Sequence, residues 1–144
     1  MASNSDLVRL RDALNVVLER QPLFEVWLDV TVKNEANLRD HFAVKARRAA
    51  SHRTVAHFAV TPALRQLDGV WYALGDLVVL LTRTYSGRGR AMDSDGIARS
   101  LKAVRDGVAD ALGVDDGDPR VTWLTTQERG EKTGVKVSIF EVPR

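Results

Sequence analysis

Cysteine is absent from this 144-residue chain, which excludes disulfides, thiolate zinc sites and a cysteine nucleophile. Long apolar runs are missing as well. None approaches the roughly 20 residues needed to cross a bilayer, and the start, MASNSDLVRL, lacks the basic-then-apolar pattern of a secretory leader. Together these absences predict a cytoplasmic protein with no membrane partner. Linkers, internal repeats and low-complexity tracts are also lacking, so residues 1–144 read as a single domain. Neither charge sign dominates: 21 Lys and Arg against 19 Asp and Glu leave a net +2, too little to demand a nucleic-acid partner. No Ser/His/Asp or phosphate-loop signature is present. What remains, 44% hydrophobic and 28% charged residues, suits a globular domain with a real core.

The distribution of charge says more than its total. Between Arg39 and Arg53 lie Arg39, Lys45, Arg47, Arg48 and Arg53, with His41 and His52, against the single acid Asp40. Seven aspartates gather elsewhere, in MDSDGIARSLKAVRDGVADALGVDDGD: Asp93, Asp95, Asp106, Asp110, Asp115, Asp116 and Asp118. Clustered carboxylates repel unless a cation or a proton neutralises them, and Mg²⁺ binds through one or two carboxylates plus phosphate oxygens. A basic face and a separate acidic site suggest a polyanion held by one and processed at the other.

Periodicity supplies the scaffold. Leu7, Leu10, Leu14 and Val17 recur at helical spacing and predict a helix from about Asp6 to Arg20, capped by Asn4 or Ser5. Strict alternation from Leu23 to Lys33 predicts a half-buried strand. A second helix from about Ala36 to Phe58 carries His41, Lys45, Arg48 and His52 as a cationic stripe, and Thr61-Pro62 should close it. The stretch containing Val70, Trp71 and Tyr72 is ambiguous. Leu77 to Tyr85 reads as a buried strand, followed by a loop bearing Arg88 and Arg90. A third helix from about Gly96 to Leu112 has the core stripe Ile97, Leu101, Val104, Val108 and Leu112, with Asp95 as N-cap and Gly113 as stop. Two strands follow, about Arg120 to Gln127 and Val135 to Val142. The class is α/β in the broad sense (α+β), a mixed sheet with packed helices in the order α-β-α-β-α-β-β.

Arg99, Lys102, Asp106 and Asp110 share the helix face that begins at Asp95, opposite the core stripe. Asp115 and Asp116 lie beyond the far end, ~25 Å away along a straight helix. The two acidic ends therefore need a fold-back or a second subunit to act together. The same aspartates also read as a cap, a solvated face and ordinary turn residues, with Asp106 orienting Lys102 and Asp110 and Asp118 left to solvent or turn. The cationic stripe likewise reads as a solvated face.

At this segment the chain resembles the RusA-type Holliday junction resolvases of phages and prophages. The resemblance rests on Asp93-Ser-Asp95-Gly-Ile, then Lys102 to Asp106, then LGVDDGDPRVTW. NLRDHFAVKARRAASHR looks like the family's basic helix, and TQERGEKTGVKVSIFEV like its last two strands. It covers about residues 23–142, leaving 1–22 as a helical extension. Gly96 stands where the family usually has Asn, and Arg99 where its lysine most often falls. The resemblance implies a dimeric, Mg²⁺-dependent (or Mn²⁺-dependent) endonuclease that cuts four-way DNA junctions by phosphodiester hydrolysis. It assigns Asp93, Asp95 and Asp116 to the metal with Asp115 beside them, Lys102 to catalysis, and Arg39, Lys45, Arg48, Arg88, Arg90 and Arg99 to DNA. Two alternatives stand beside it: a non-catalytic accessory that binds branched DNA, and a metal-binding domain acting on nucleotides.

Overall fold

The computed structural model describes residues 3–33, 41–67 and 75–143. Its elements are α1 (Asn4–Glu19), β1 (Phe24–Leu28), α2 (Phe42–Arg65), β2 (Leu77–Tyr85), α3 (Ser94–Ser100), α4 (Lys102–Leu112), β3 (Val121–Arg129) and β4 (Gly134–Glu141). This is a mixed α+β fold: four helices on a four-stranded sheet of order β1-β4-β2-β3. β4 runs antiparallel to both β1 and β2, and β2 runs parallel to β3 across the α3–α4 crossover. The two central strands are buried on both faces, which explains the unbroken apolar run of β2. Edge strand β1 keeps the alternation expected of a half-buried strand, with Phe24, Val26 and Leu28 turned inward.

Each sheet face has its own core. Leu77, Val79 and Leu81 of β2, with Val135, Val137 and Ile139 of β4, pack under α2 and α4. Ala56 and Val60 of α2 and Val104 and Val108 of α4 are fully buried there. The helices cross closely because Gly107 has no side chain: a Cβ there would lie 2.2 Å from the Arg53 carbonyl oxygen. On the other face, Val78, Leu124 and Phe140 meet Ala13 and Val16 of α1. No helix among the described residues is long and apolar enough to cross a membrane.

Several local expectations are corrected. Ser3, rather than Asn4 or Ser5, caps α1, in a reciprocal capping box with Asp6. The face of α1 that meets the sheet is Ala13 and Val16, while Leu7, Leu10 and Leu14 stay exposed. β1 stops at Leu28, five residues short of the predicted Lys33. α2 starts at Phe42 and runs through Pro62 to Arg65 instead of closing before it. Beside the proline ring, Thr61 Oγ1 donates back to the His57 carbonyl at 2.7 Å. The predicted third helix is two helices, broken at Leu101 (φ −95°, ψ 1°). Just before the break, Ser100 Oγ donates to the Lys33 carbonyl at 2.6 Å. The ambiguous stretch with Val70, Trp71 and Tyr72 lies outside the described residues.

Candidate anion-binding site

The start of α3 is set by Asp93. Its Oδ1 accepts the Gly96 N–H at 2.6 Å, so Asp93 and not Asp95 is the N-cap. Asp95 sits exposed in the first helical turn, where a carboxylate favours the positive end of the helix. The preceding loop is shaped by cations acting on its backbone. Buried Arg83 donates to the Arg90 carbonyl (2.9 Å) and to Gln127 Oε1 (3.1 Å). Gln127 in turn bonds both the N–H and the carbonyl of Met92. Arg129 donates to the Gly87 and Gly89 carbonyls, and Gly87 takes the positive φ (60°) that the turn requires. Arg88 and Arg90 are thus exposed on a braced loop that leads directly into α3.

The far end of the acidic segment folds back. Gly113 ends α4 in the left-handed conformation (φ 71°), and the following turn brings Asp116 to the first turn of the same helix. Lys102 Nζ donates to Asp106 Oδ1 at 2.6 Å and to Asp116 Oδ2 at 3.1 Å. Hydrogen bonds from Asp106 first, then Asp116, hold the Lys102 ammonium above its ordinary pKa. The Lys102 hydrogen bond holds Asp116 below the usual carboxylate range. Arg105 Nη2 fixes the turn through the Asp116 carbonyl (2.9 Å) while its guanidinium lies over the Trp123 ring. Asp106 therefore does orient Lys102. Asp110 is exposed as expected, and both its oxygens also accept from Arg53, at 2.7 and 2.9 Å, tying α4 to α2. Asp118 is a turn residue, held down to about 2 by its hydrogen bonds from Arg120.

The carboxylates that the resolvase resemblance assigns to a divalent ion are not gathered into one group among the described residues. Asp93 and Asp95 stand at the start of α3, and Asp116 is engaged by Lys102. Asp115 is exposed beside it. Among the described residues no group of three or more His, Asp or Glu is placed to hold a metal. The Lys102 ammonium neutralises two of the seven carboxylates, Asp106 and Asp116.

The cations do converge. Lys45, Ala49 and His52 of α2, Arg99 and Ser100 of α3, and Lys102, Ala103 and Asp106 of α4 line a cleft of about 300 Å³. Lys45, Arg99 and Lys102 line it with the carboxylate of Asp106, and Lys102 also bonds Asp116, outside it. Of the predicted stripe on α2, only Lys45 and His52 reach this cleft. His52 is turned inward and buried. His41 is the N-cap of α2, its Nδ1 accepting the Ala43 N–H at 3.1 Å. Arg48 is partly buried outside the cleft, and Arg39 lies outside the described residues. Sequence reasoning missed His52 and Ser100 as cleft residues, and Arg53 and Arg105 as the braces that shape it. Their positions depend on the register of α2 against α4, for which periodicity carries no signal.

Comparison with protein-family models, with curated proteins and with solved structures finds no match to this chain. The resolvase resemblance therefore stands on the sequence motifs alone.

Proposed function

We propose that the chain binds the phosphate backbone of nucleic acid, as a non-catalytic binder of branched DNA. The observation that carries the reading is the cleft in which Lys45, Arg99 and Lys102 converge from three helices. Phosphate oxygens are the acceptors that such a set of donors suits, and contacts of this kind position a duplex without reading its sequence. Arg88 and Arg90, on the loop leading into α3, extend the cationic surface along the chain toward a flanking phosphate. Their loop is braced from beneath, so little ordering is needed on binding.

A second reading, the metal-dependent resolvase, is favoured by one observation: the Asp-Asp turn folds back on its helix, so that Asp116 meets Lys102 at 3.1 Å. It carries with it the resolvase-like fold and homodimer, and it requires carboxylates from a second chain.

Titrating a labelled four-way junction against salt tests both. Backbone binding through three to five cations gives a log–log slope of about −3 to −5. Changing Lys45 and Arg99 together to Ala reduces that slope by about 2. Affinity indifferent to salt would return the cleft to a structural role. Nicking of the junction in Mg²⁺ or Mn²⁺ that disappears in Asp95→Asn would replace the non-catalytic reading with the nuclease.

A further inference from the structure

The face of α1 that looks away from the sheet is unusually apolar. Leu7, Leu10, Leu14 and Leu18 are 54%, 43%, 46% and 81% exposed. On a helical wheel these four lie within about 80° of one another, with Val16, pressed on the sheet, opposite them and Ala13 to one side. Arg9, on the sheet side, pins α1 by donating to Thr122 Oγ1 (2.9 Å) and the Val121 carbonyl (3.1 Å), so the ridge is held outward. Trp27, 41% exposed, stands on the same sheet face, because its β1 neighbours Val26 and Leu28 point to the other. The segment lies outside residues 23–142, so the resolvase resemblance says nothing about it.

We infer that a second copy of this chain docks on the α1 ridge, the two helices packing antiparallel about a two-fold axis. The spacing is self-complementary: with the axis near Asp12, Leu10 of each copy meets Leu14 of the other, and Leu7 meets the Val17–Leu18 end. Charge favours a copy of itself over an anionic lipid surface. From Asn4 to Arg20 three acids (Asp6, Asp12, Glu19) balance three arginines, whereas interfacial membrane helices carry a basic polar face. The antiparallel arrangement also opposes the two helix dipoles and brings the acidic first turn of one copy toward Arg20 of the other. A helix of 16 residues is about 24 Å long, and a side-by-side pair buries on the order of 1,000 Å² in total, the lower edge of specific interfaces. An area of that order suits a weak, reversible dimer.

This geometry goes beyond the DNA-binding reading. α1 and the cationic cleft lie on opposite faces of the sheet, so pairing through α1 turns the two clefts outward. Such a dimer holds two duplexes at once, and acids of its two copies do not meet.

Sedimentation equilibrium of the full chain without DNA gives the first test. Half-dissociation is expected at about 1–10 µM, and the Leu10→Glu/Leu14→Glu variant raises it at least about 100-fold, with a thermal midpoint equal to the wild type's in solutions dilute enough for both to be monomers. Phe58→Ser, on α2, leaves the dimer intact. A wild-type chain still monomeric at about 100 µM overturns the proposal, as does a dimer that survives the double substitution or dissolves with Phe58→Ser. Ridge-dependent binding of anionic vesicles by a monomer overturns it too. A second arm asks whether bead-bound duplex captures a second, labelled duplex. Capture by the wild type and its loss in the ridge variant, with single-duplex binding retained, is the expected result. Equal capture by both refutes the bridging geometry, while failure of all DNA binding strikes the cleft reading and leaves the sedimentation result standing.

Discussion

Replacing Gly107 by alanine sets two physical effects against each other, and the structure decides the sign. On helix propensity alone the change should stabilise α4 by about 1 kcal/mol. The added Cβ, however, would lie 2.2 Å from the Arg53 carbonyl oxygen and 2.8 Å from the Ala56 Cβ. An ordinary contact needs more than 3 Å, so α2 and α4 must part by about 1 Å, a gap that forfeits a quarter to a half of each dispersion contact across it. The residues at that crossing, Ala56, Val60, Val104 and Val108, are all fully buried. Overpacking of this kind costs about 1–3 kcal/mol, and a rigid backbone carbonyl as the obstacle places it at the upper end. Subtracting the propensity gain leaves a net loss of about 2 kcal/mol, or a midpoint lowered by about 6 °C in a chain of this size. Thermal and urea melts followed by circular dichroism read both quantities. The same separation pulls Lys45 and His52 of α2 away from Arg99 and Lys102, so junction affinity should fall with stability. A midpoint that rises by a few degrees would refute the close crossing and the account of the cleft built on it.

Three further outcomes follow from the same geometry. Asp93→Ala removes the acceptor of the Gly96 N–H and should lower stability by about 1 kcal/mol in urea titration without any metal present; an unchanged midpoint would remove Asp93 from the cap. Asp110, Asp116 and Asp118 all sit below the ordinary carboxylate pKa through bonds from Arg53, Lys102 and Arg120. Their folded pKa values being the depressed ones, the stability they give is present above about pH 4 and is lost as pH falls toward 2. Asp118→Asn should flatten the acid limb of a stability–pH profile, and an unaltered limb would show that the Arg120 bond contributes nothing. Lys102 has its pKa raised, so its contribution is complete below its ordinary value of 10.5 and fades as pH rises beyond it; a Lys102→Met chain should lack that alkaline loss.

The parts of the fold that periodicity carries were legible before the structure was seen. The stripe Ile97, Leu101, Val104, Val108 and Leu112 is buried as expected, β2 has its predicted bounds, and Gly113 ends α4. What failed depended on partners remote in sequence. The leucines of α1 have helical spacing, but the sheet selects the thinner face of Ala13 and Val16, because Arg9 finds its acceptors beside β3. Pro62 does not end α2, which runs on to Arg65 with Thr61 bonded back to the His57 carbonyl. The break at Leu101 lies beside a hydrogen bond from Ser100 to Lys33, which spans 67 positions. At the site, helix length was enough to show that the two acidic ends need a fold-back or a second subunit to act together. The pairing of Asp116 with Lys102 was not legible, because it depends on a turn that Arg105 fixes through the Asp116 carbonyl.

The strand order has a consequence for how the chain assembles. β4 lies between β1 and β2, so the most C-terminal strand fills an interior slot and forms ladders on both its sides. To reach that slot after β3, residues 130–133 step over the end of β2, where a Cβ on Gly130 would meet Thr84 at 2.6 Å. Until that step is made, β1 has no neighbour, and β2 exposes one bare, hydrophobic edge. A growing polypeptide therefore cannot close its sheet before β4 has been made and has crossed over β2. That closure is a long-range event, which slows folding and gives aggregation or a chaperone its opportunity.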